Sequence, residues 1–233
     1  MNYFRLCSVV ISRLEFLGKT LLLLFLFSSF QLSAQTDSLL LSLQNSKHDS
    51  TRLRICLSIA AQQTNNNLDT TFFYCDKAEA FARKMNNPKG IADAQFQRAY
   101  AVYYSGNGDS ALVMYHNLLG DYRSLGDSGG VAGCYNKSGF IYREQGDPAR
   151  ALENYHQALK SNLNEANKTE AGNSYLNIGL IHHDQEEYKD ALKFELMGLA
   201  MYEQAQDKNR TANAHLRIGK VYLDTKQDSS DLV

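Results

Sequence analysis

The sequence predicts an all-α fold, an α-solenoid of stacked antiparallel helix hairpins. Three observations carry this. Segments 92–119, 132–159, 172–199 and 212–232 align without gaps at a spacing of 40 residues. Ala99, Gly139, Gly179 and Gly219 share one column, and Ala111, Ala151 and Ala191 share another, followed by Leu112, Leu152 and Leu192. A fixed period of this length marks one supersecondary unit copied and stacked. Within a unit, Tyr175, Ile178, Gly179 and His182, then Tyr188, Ala191, Leu192, Leu196 and Leu199, recur at three and four residues, as one face of a helix does. No alternating β-branched runs stand between turn dipeptides, and the chain has only two prolines, so no strand pattern competes.

Residues 1–34 read as an export signal. Arg5, Arg13 and Lys19 precede the apolar run Leu21–Phe27, and Ser33-Ala34 offers a small-residue cleavage step before Gln35. The long basic segment leaves an uncleaved N-terminal anchor as the alternative. The apolar run is shorter than the roughly 20 residues of a spanning helix. Cys7 lies before it and no Cys follows directly, so a lipid-attachment site is not expected.

Residues 35–49 read as an N-terminal capping helix, amphipathic over Thr36–Ser46. Residues 50–89 form a worn copy of the unit, with Ile59 in the column of Ala99, Ala78 in that of Leu118, and Asn65–Asp69 replacing the tight turn. A terminal unit is expected to depart from the consensus. Full units follow at 90–129, 130–169 and 170–209. Each has a turn at the same phase: Gly106–Asp109, Gly146-Asp147-Pro148, and a degenerate Glu186-Glu187. Gly closes one helix, Asp caps the next, and Pro148 starts a helix where its missing N–H costs nothing. Longer joints are expected between units, at 86–90, 126–130 and 165–169. Residues 210–233 form a partial unit that stops at Asp231-Leu232-Val233, early in its second helix. A solenoid end needs a polar cap. The expectation is therefore a chain shortened relative to its relatives or covered by another chain, with Leu216, Ile218, Val221 and Tyr222 exposed and able to drive self-association.

The small columns have a packing reason. Gly inside a helix costs roughly 1 kcal/mol against Ala. Its return at 139, 179 and 219 implies close helix crossings against Ala151, Ala191 and their neighbours. Tyr135 and Tyr175, Tyr142 and Tyr222, and Tyr115 and Tyr155 are expected to fill the space beside them.

Composition bounds the function. Hydrophobic residues make up 44% of the chain, enough for a core. The 24 basic and 25 acidic residues give a net charge of −1; removing 1–34 leaves 21 and 24, or −3. A nucleic-acid binder shows a basic excess or stripe, and neither is present, so no nucleic-acid partner is expected. Cys56, Cys75 and Cys134 match no zinc or redox spacing. They read as small buried hydrophobes, although a Cys56–Cys75 bridge within one unit is conceivable.

The pattern Tyr135, Gly139, Tyr142, Ala151, Tyr155, Ala158, with its copy Tyr175, Ile178, Gly179, His182, Ala191, Gly198, resembles the tetratricopeptide repeat. The likeness covers 90–226 well and 50–89 weakly. It implies a right-handed superhelix whose first helices line a concave binding face. The period of 40 exceeds the family's usual 34, as in the extended repeats of bacterial regulators and sensor kinases. His182 and Glu195 stand where the family has aromatics.

Catalytic signatures are absent: there is no nucleophile elbow, P-loop or dinucleotide fingerprint, and Gly106-Asn107-Gly108 lies between helices. No cofactor is expected. His182-His183-Asp184 is the nearest approach to a metal cluster, but adjacent helical residues diverge by about 100°. His116 and His156 share a column and read as inherited repeat sequence. The sequons at Asn136, Asn167 and Asn209 matter only in a glycosylating host.

The candidate site is the face the resemblance implies. The expected peptide-binding residues are Phe96, Tyr100, Tyr103 and Tyr104 in the first full unit, and Asn136, Phe140 and Arg143 in the next. Asn173, Asn177, Leu180 and His183 follow, then Asn213 and Lys220. Asp93, Lys137 and Leu176 share the phase. Exposed aromatics can anchor an extended segment and amides can bond its backbone. The residues by which cochaperones clamp a peptide carboxylate are absent, with Phe96 and Tyr100 in the first two of those places. The expected function is a non-catalytic protein- or peptide-binding scaffold, exported to the periplasm or cell exterior. The alternative is the extracytoplasmic input portion of a sensor whose membrane span and output domain lie outside this chain.

Overall fold

The computed structural model describes residues 36–163 and 167–230. The expected signal at 1–34, part of the joint at 165–169 and the last three residues fall outside them.

Among the described residues there are ten helices and no strand. They are α1 (36–45), α2 (Asp49–Gln63), α3 (Leu68–Lys84), α4 (Pro88–Tyr104), α5 (Gly108–Ser124), α6 (Ser128–Glu144), α7 (Pro148–Leu163), α8 (Lys168–Asp184), α9 (Tyr188–Gln204) and α10 (Lys208–Ser230). Most are 17 residues long, about 25 Å. Each packs on its neighbour in the chain, and α2, α4, α6 and α8 also touch in succession. The result is an α-solenoid of antiparallel hairpins.

One link geometry builds the array. Among the described residues a left-handed residue recurs on a twenty-residue spacing, at Asn86, Gly106, Gly126 and Gly146 and again at Glu186 and Gln206, all with positive φ. The next residue donates its N–H back across the turn, as Asn107 does to the Val102 carbonyl and Asp147 to that of Tyr142. This closes the helix with a Schellman motif. That same residue then starts the following helix. Asn87, Asp127, Asp147, Asn167 and Asp207 each accept a backbone N–H three residues on, the N-cap bond.

Two expectations are corrected here. The joints at 86 and 126 are no longer than the hairpin turns, because three residues link α3 to α4 and α5 to α6, as they link α4 to α5. In the first full unit the cap position is Asn107, not Asp109, and its amide bonds Ser105 instead of the helix N–H groups.

The core runs between the hairpins. Leu39, Leu40 and Leu43 of α1 lean on the buried cluster of Leu53, Ile59, Cys75 and Ala78. Tyr115 and Leu118 fill the next cluster, Tyr155 and Ile178 the third, and Leu176, Leu199 and Ile218 the last. Cys56, Cys75 and Cys134 are buried and unlinked, and burial pushes their thiols up to about 11, 11 and 12. They pack as small apolar groups.

The glycine column is less uniform than its spacing implies. A Cβ on Gly139 would lie 2.8 Å from the Tyr155 ring, and one on Gly179 would lie 2.8 Å from Glu195 Cγ and 3.2 Å from the Ala191 carbonyl. Gly219 has nothing within 4 Å, because no described helix crosses α10 there. The exposed stripe of α10 also differs from expectation. Leu216, Tyr222 and Leu223 are 77%, 53% and 69% exposed, but Ile218 and Val221 are buried. Ile218 packs with Leu199 and Tyr202 of α9, as Ile178 packs with Ala151 and Tyr155 of α7 one unit earlier.

Candidate functional site

The first helix of each hairpin faces a common cleft of about 780 Å³. Its lining runs from Leu57 on α2, through Lys89, Asp93, Phe96, Gln97 and Tyr100 on α4 and Asn136, Lys137 and Phe140 on α6, to Glu170, Asn173 and Asn177 on α8 and Arg210 on α10. The helical phase explains this set. Gln97, Lys137 and Asn177 are one column, 40 residues apart, as are Phe96 and Asn136, and Tyr100 and Phe140.

The floor is aromatic. Phe96 packs edge-on against Tyr115 and Tyr122, with ring centroids 5.2 and 6.5 Å away. Tyr100 meets Tyr104 edge-on at 4.9 Å, and their hydroxyls are 3.1 Å apart. Burial, then that hydrogen bond, pushes the Tyr100 hydroxyl pKa well above the usual tyrosine range.

The charged walls are mostly satisfied internally. Lys89 pairs with Asp127 and lies 3.5 Å from Asp93. Burial works against both members of the Lys89–Asp127 pair, but their bond prevails, so the lysine is raised and the carboxyl lowered. The Tyr122 hydroxyl, carried from α5 across Gly130, donates to Asp93 at 2.9 Å. Asn173 donates to Glu170 at 2.9 Å and accepts from Tyr202 at 2.7 Å and from Arg210. Lys137 is different. Its ammonium lies 3.3 Å from the centroid of the Tyr100 ring, and among the described residues it has no ion pair or hydrogen bond. Burial lowers it to about 8, against the pull of Glu170.

Of the residues expected from sequence, Phe96, Tyr100, Asn136, Phe140, Asn173 and Asn177 line this cleft. The others lie elsewhere. Tyr103 packs on Phe140 at 5.3 Å, and Tyr104 borders a hollow at Asn65–Asp69. Arg143 pairs with Glu144 at 2.6 Å. Leu180 is half-buried away from the cleft and Lys220 is exposed. Asn213 borders a smaller hollow between α8 and α10, and Leu176 is buried against α10. His182 stacks on Phe194 at 5.2 Å and meets Glu187 at 2.6 Å, whereas His183 meets Asp224 at 2.8 Å. The two imidazoles therefore diverge. Among the described residues no group of His, Cys, Asp and Glu could hold a metal.

Sequence reasoning missed Gln97, in the column of Lys137 and Asn177, as well as Lys89, Glu170 and Arg210, which lie closer to the helix starts. Extending the i, i+3, i+4 stripe N-terminally from Phe96 and Asn173 would have reached those three.

A family model described as tetratricopeptide repeat matches residues 130–204. That segment, about a third of the chain, carries the family's pattern, and the rest of the array repeats its fold. Solved structures agree on the fold. BtubC (BKLC) of P. vanneervenii superposes with a TM-score of 0.63 at 17% identity, over 84% of each chain. A Pyrococcus horikoshii STAND signal-transduction ATPase with a tetratricopeptide-repeat sensor matches at TM-score 0.58 and 18% identity, over 77% of this chain and 28% of that one. A Podosopora anserina protein, described as a kinesin light chain with nearly identical TPR-like repeats, matches at 0.55 and 13%, over 79% and 92%. No curated protein sequence matches. In this tetratricopeptide-like solenoid each unit is two helices on a 20-residue pitch, which gives the 40-residue period.

Proposed function

We propose that this protein is a non-catalytic scaffold that holds an extended segment of a partner protein in the cleft. The observation that carries this is the cleft itself. It is open, crosses every unit from α2 to α10, and combines an aromatic floor with amide side chains. Aromatic surface supplies anchors and amides bond a peptide backbone in any sequence. Stacked repeats present such extended surfaces generally.

Panning a random peptide display library against the purified chain tests it. Selected peptides should lose binding to a Tyr100→Ala, Asn177→Ala double variant. They should bind normally to Val113→Ala, an exposed position on α5 that does not line the cleft. Binding unchanged by the double variant, with helicity intact, would place the site elsewhere.

We place the protein outside the cytoplasm on the strength of the basic–apolar–small pattern of residues 1–34. That location and the fold likeness to the tetratricopeptide-repeat sensor of the STAND ATPase favour a second reading, the input portion of a sensor. We also assign self-association to the exposed Leu216, Tyr222 and Leu223 of α10. A concentration-dependent sedimentation coefficient that Leu216→Glu, Leu223→Glu abolishes is the expected result; a monomer at all concentrations removes the assignment.

A further inference from the structure

The cleft cations differ in one respect. Lys89 is held by Asp127 and Asp93, and Arg210 by Asp207 and Asn173. Lys137 alone among them has no acidic partner within ion-pair distance among the described residues. Its ammonium keeps three donors, and only the Tyr100 ring lies beneath it. Burying a charge without a partner is unfavourable. A cation–π contact offsets part of that cost and bonds none of the N–H groups.

Further donors line the same cleft. Asn136 accepts the Ser174 hydroxyl on its Oδ1 at 3.1 Å, and its NH2 is buried without an acceptor. The side chain of Asn177, one unit on in the column of Lys137, has no hydrogen-bond partner among the described residues, nor does that of Gln97, one unit before it. The acidic groups are engaged: Asp93 by Tyr122 and Lys89, Asp127 by Lys89 and the Gly130 N–H, Glu170 by Asn173. The unsatisfied chemistry of the cleft is therefore donor and positive. A cationic ligand would find the Tyr100 face occupied and the carboxylates committed.

We propose that the cleft selects an acidic side chain: a Glu or Asp within an extended partner segment seats its carboxylate against Lys137, with the Asn136 and Asn177 amides as further donors. This rests on the reading that the cleft holds a partner segment. The segment is internal, not a chain terminus, because Lys137 sits midway along a cleft open from Leu57 on α2 to Arg210 on α10, so the bound chain continues on both sides. Phe96, Tyr100 and Phe140 receive the apolar neighbours of that acid. A carboxylate on a desolvated ammonium forms a charge-assisted hydrogen bond, roughly twice as strong as a neutral one.

The test uses the full chain and a display library whose peptides are fused through their C-termini, so only side-chain carboxylates are offered. The expected result is enrichment of Asp or Glu beside aromatic or aliphatic residues. Synthetic peptides of the selected sequences, amidated at the C-terminus, are then compared with their Glu→Gln or Asp→Asn forms by calorimetry. The exchange should weaken binding to the wild type about tenfold or more. It should change little with Lys137→Met, and Lys137→Arg should keep part of the discrimination. Cleft-binding peptides with no acidic preference would overturn this inference and leave the scaffold reading standing. So would an acid-to-amide penalty that persists in Lys137→Met. Failure to select any cleft-binding peptide would overturn both. The wild-type comparison decides the matter even where a variant folds poorly, since equal affinity for acid and amide peptides sinks the proposal.

Discussion

Glu195 on α9 is bound by Arg217 on α10, with guanidinium nitrogens 3.1 and 3.2 Å from Oε1. The same guanidinium donates to the Leu176 carbonyl at 2.6 Å. Glu195 is 2% exposed and stands in the column of Tyr115 and Tyr155. Where earlier units place a tyrosine, this one places a charge and imports its partner from the next helix.

Breaking that pair leaves a buried carboxylate uncompensated. Arg217→Leu is expected to cost about 3–5 kcal/mol. Replacing both residues, Glu195→Leu with Arg217→Leu, should recover most of the loss, because removing a buried pair together is often neutral. Urea denaturation of the two single variants and the double variant measures the coupling. Simple additivity would show that the pair does not act as a unit.

Gly198 lies in the column of Ala158, which by sequence alone makes Gly198→Ala look neutral or stabilising. The structure reverses that expectation. A Cβ there would fall 1.9 Å from Leu176 Cδ1 and 3.1 Å from the Gly172 carbonyl. Gly198→Ala should destabilise by about 1–3 kcal/mol through overpacking. Gly179→Leu, pressed on Glu195 and the α9 backbone, should cost at least as much. A Leu176→Ala, Gly198→Ala double variant should tolerate the new methyl better than Gly198→Ala alone does. Thermal melts distinguish these outcomes.

Glu186 occupies a left-handed position, φ 63°, where three other links use Gly. The left-handed conformation costs a non-Gly residue about 1 kcal/mol. Glu186 is exposed. Glu186→Gly should therefore stabilise the α8–α9 turn by a few tenths to about 1 kcal/mol, less the extra freedom Gly has when unfolded. A lowered chemical midpoint would show that the Glu186 side chain contributes more than its conformation costs.

Lys137 ties stability to pH. Its folded-state value, about 8, lies below the ordinary lysine value. Between those two values the unfolded chain binds the proton that the folded chain has released. Stability contributed at this site therefore rises with pH across that window and is lowest below about 8, where the buried ammonium stays charged. Lys137→Met should raise stability at pH 7 by about 1 kcal/mol, with the gain shrinking as pH climbs through 8 to 10. Denaturant midpoints of the two proteins across that range check it. A constant difference would mean that Lys137 is not desolvated.

Much of the fold was legible in the residues. The 40-residue columns and the three-four periodicity are local properties, and they place the helices and the hairpin turns. They hid the equality of joints and turns, because Gly126 and Asn86 do the same backbone work in different residue contexts. About half of the expected face, Phe96, Tyr100, Asn136, Phe140, Asn173 and Asn177, lines the cleft, and it was reached through the family resemblance together with helical phase. Tyr103, Arg143 and His183 share the face and find partners within the protein, which no phase reveals.

The sequence by itself determined that this is a solenoid of paired helices, because repetition and amphipathic period act within one unit and need no knowledge of its neighbours. Only the tertiary structure decided which polar groups are satisfied. Arg217 and Lys137 occupy one column and look alike in sequence. Glu195 reaches the first from the preceding helix, while Tyr100 places an aromatic ring under the second. Pairing across units depends on distances of a few ångströms between side chains 20 to 40 positions apart, so the open donor in the cleft becomes visible only once the helices are stacked.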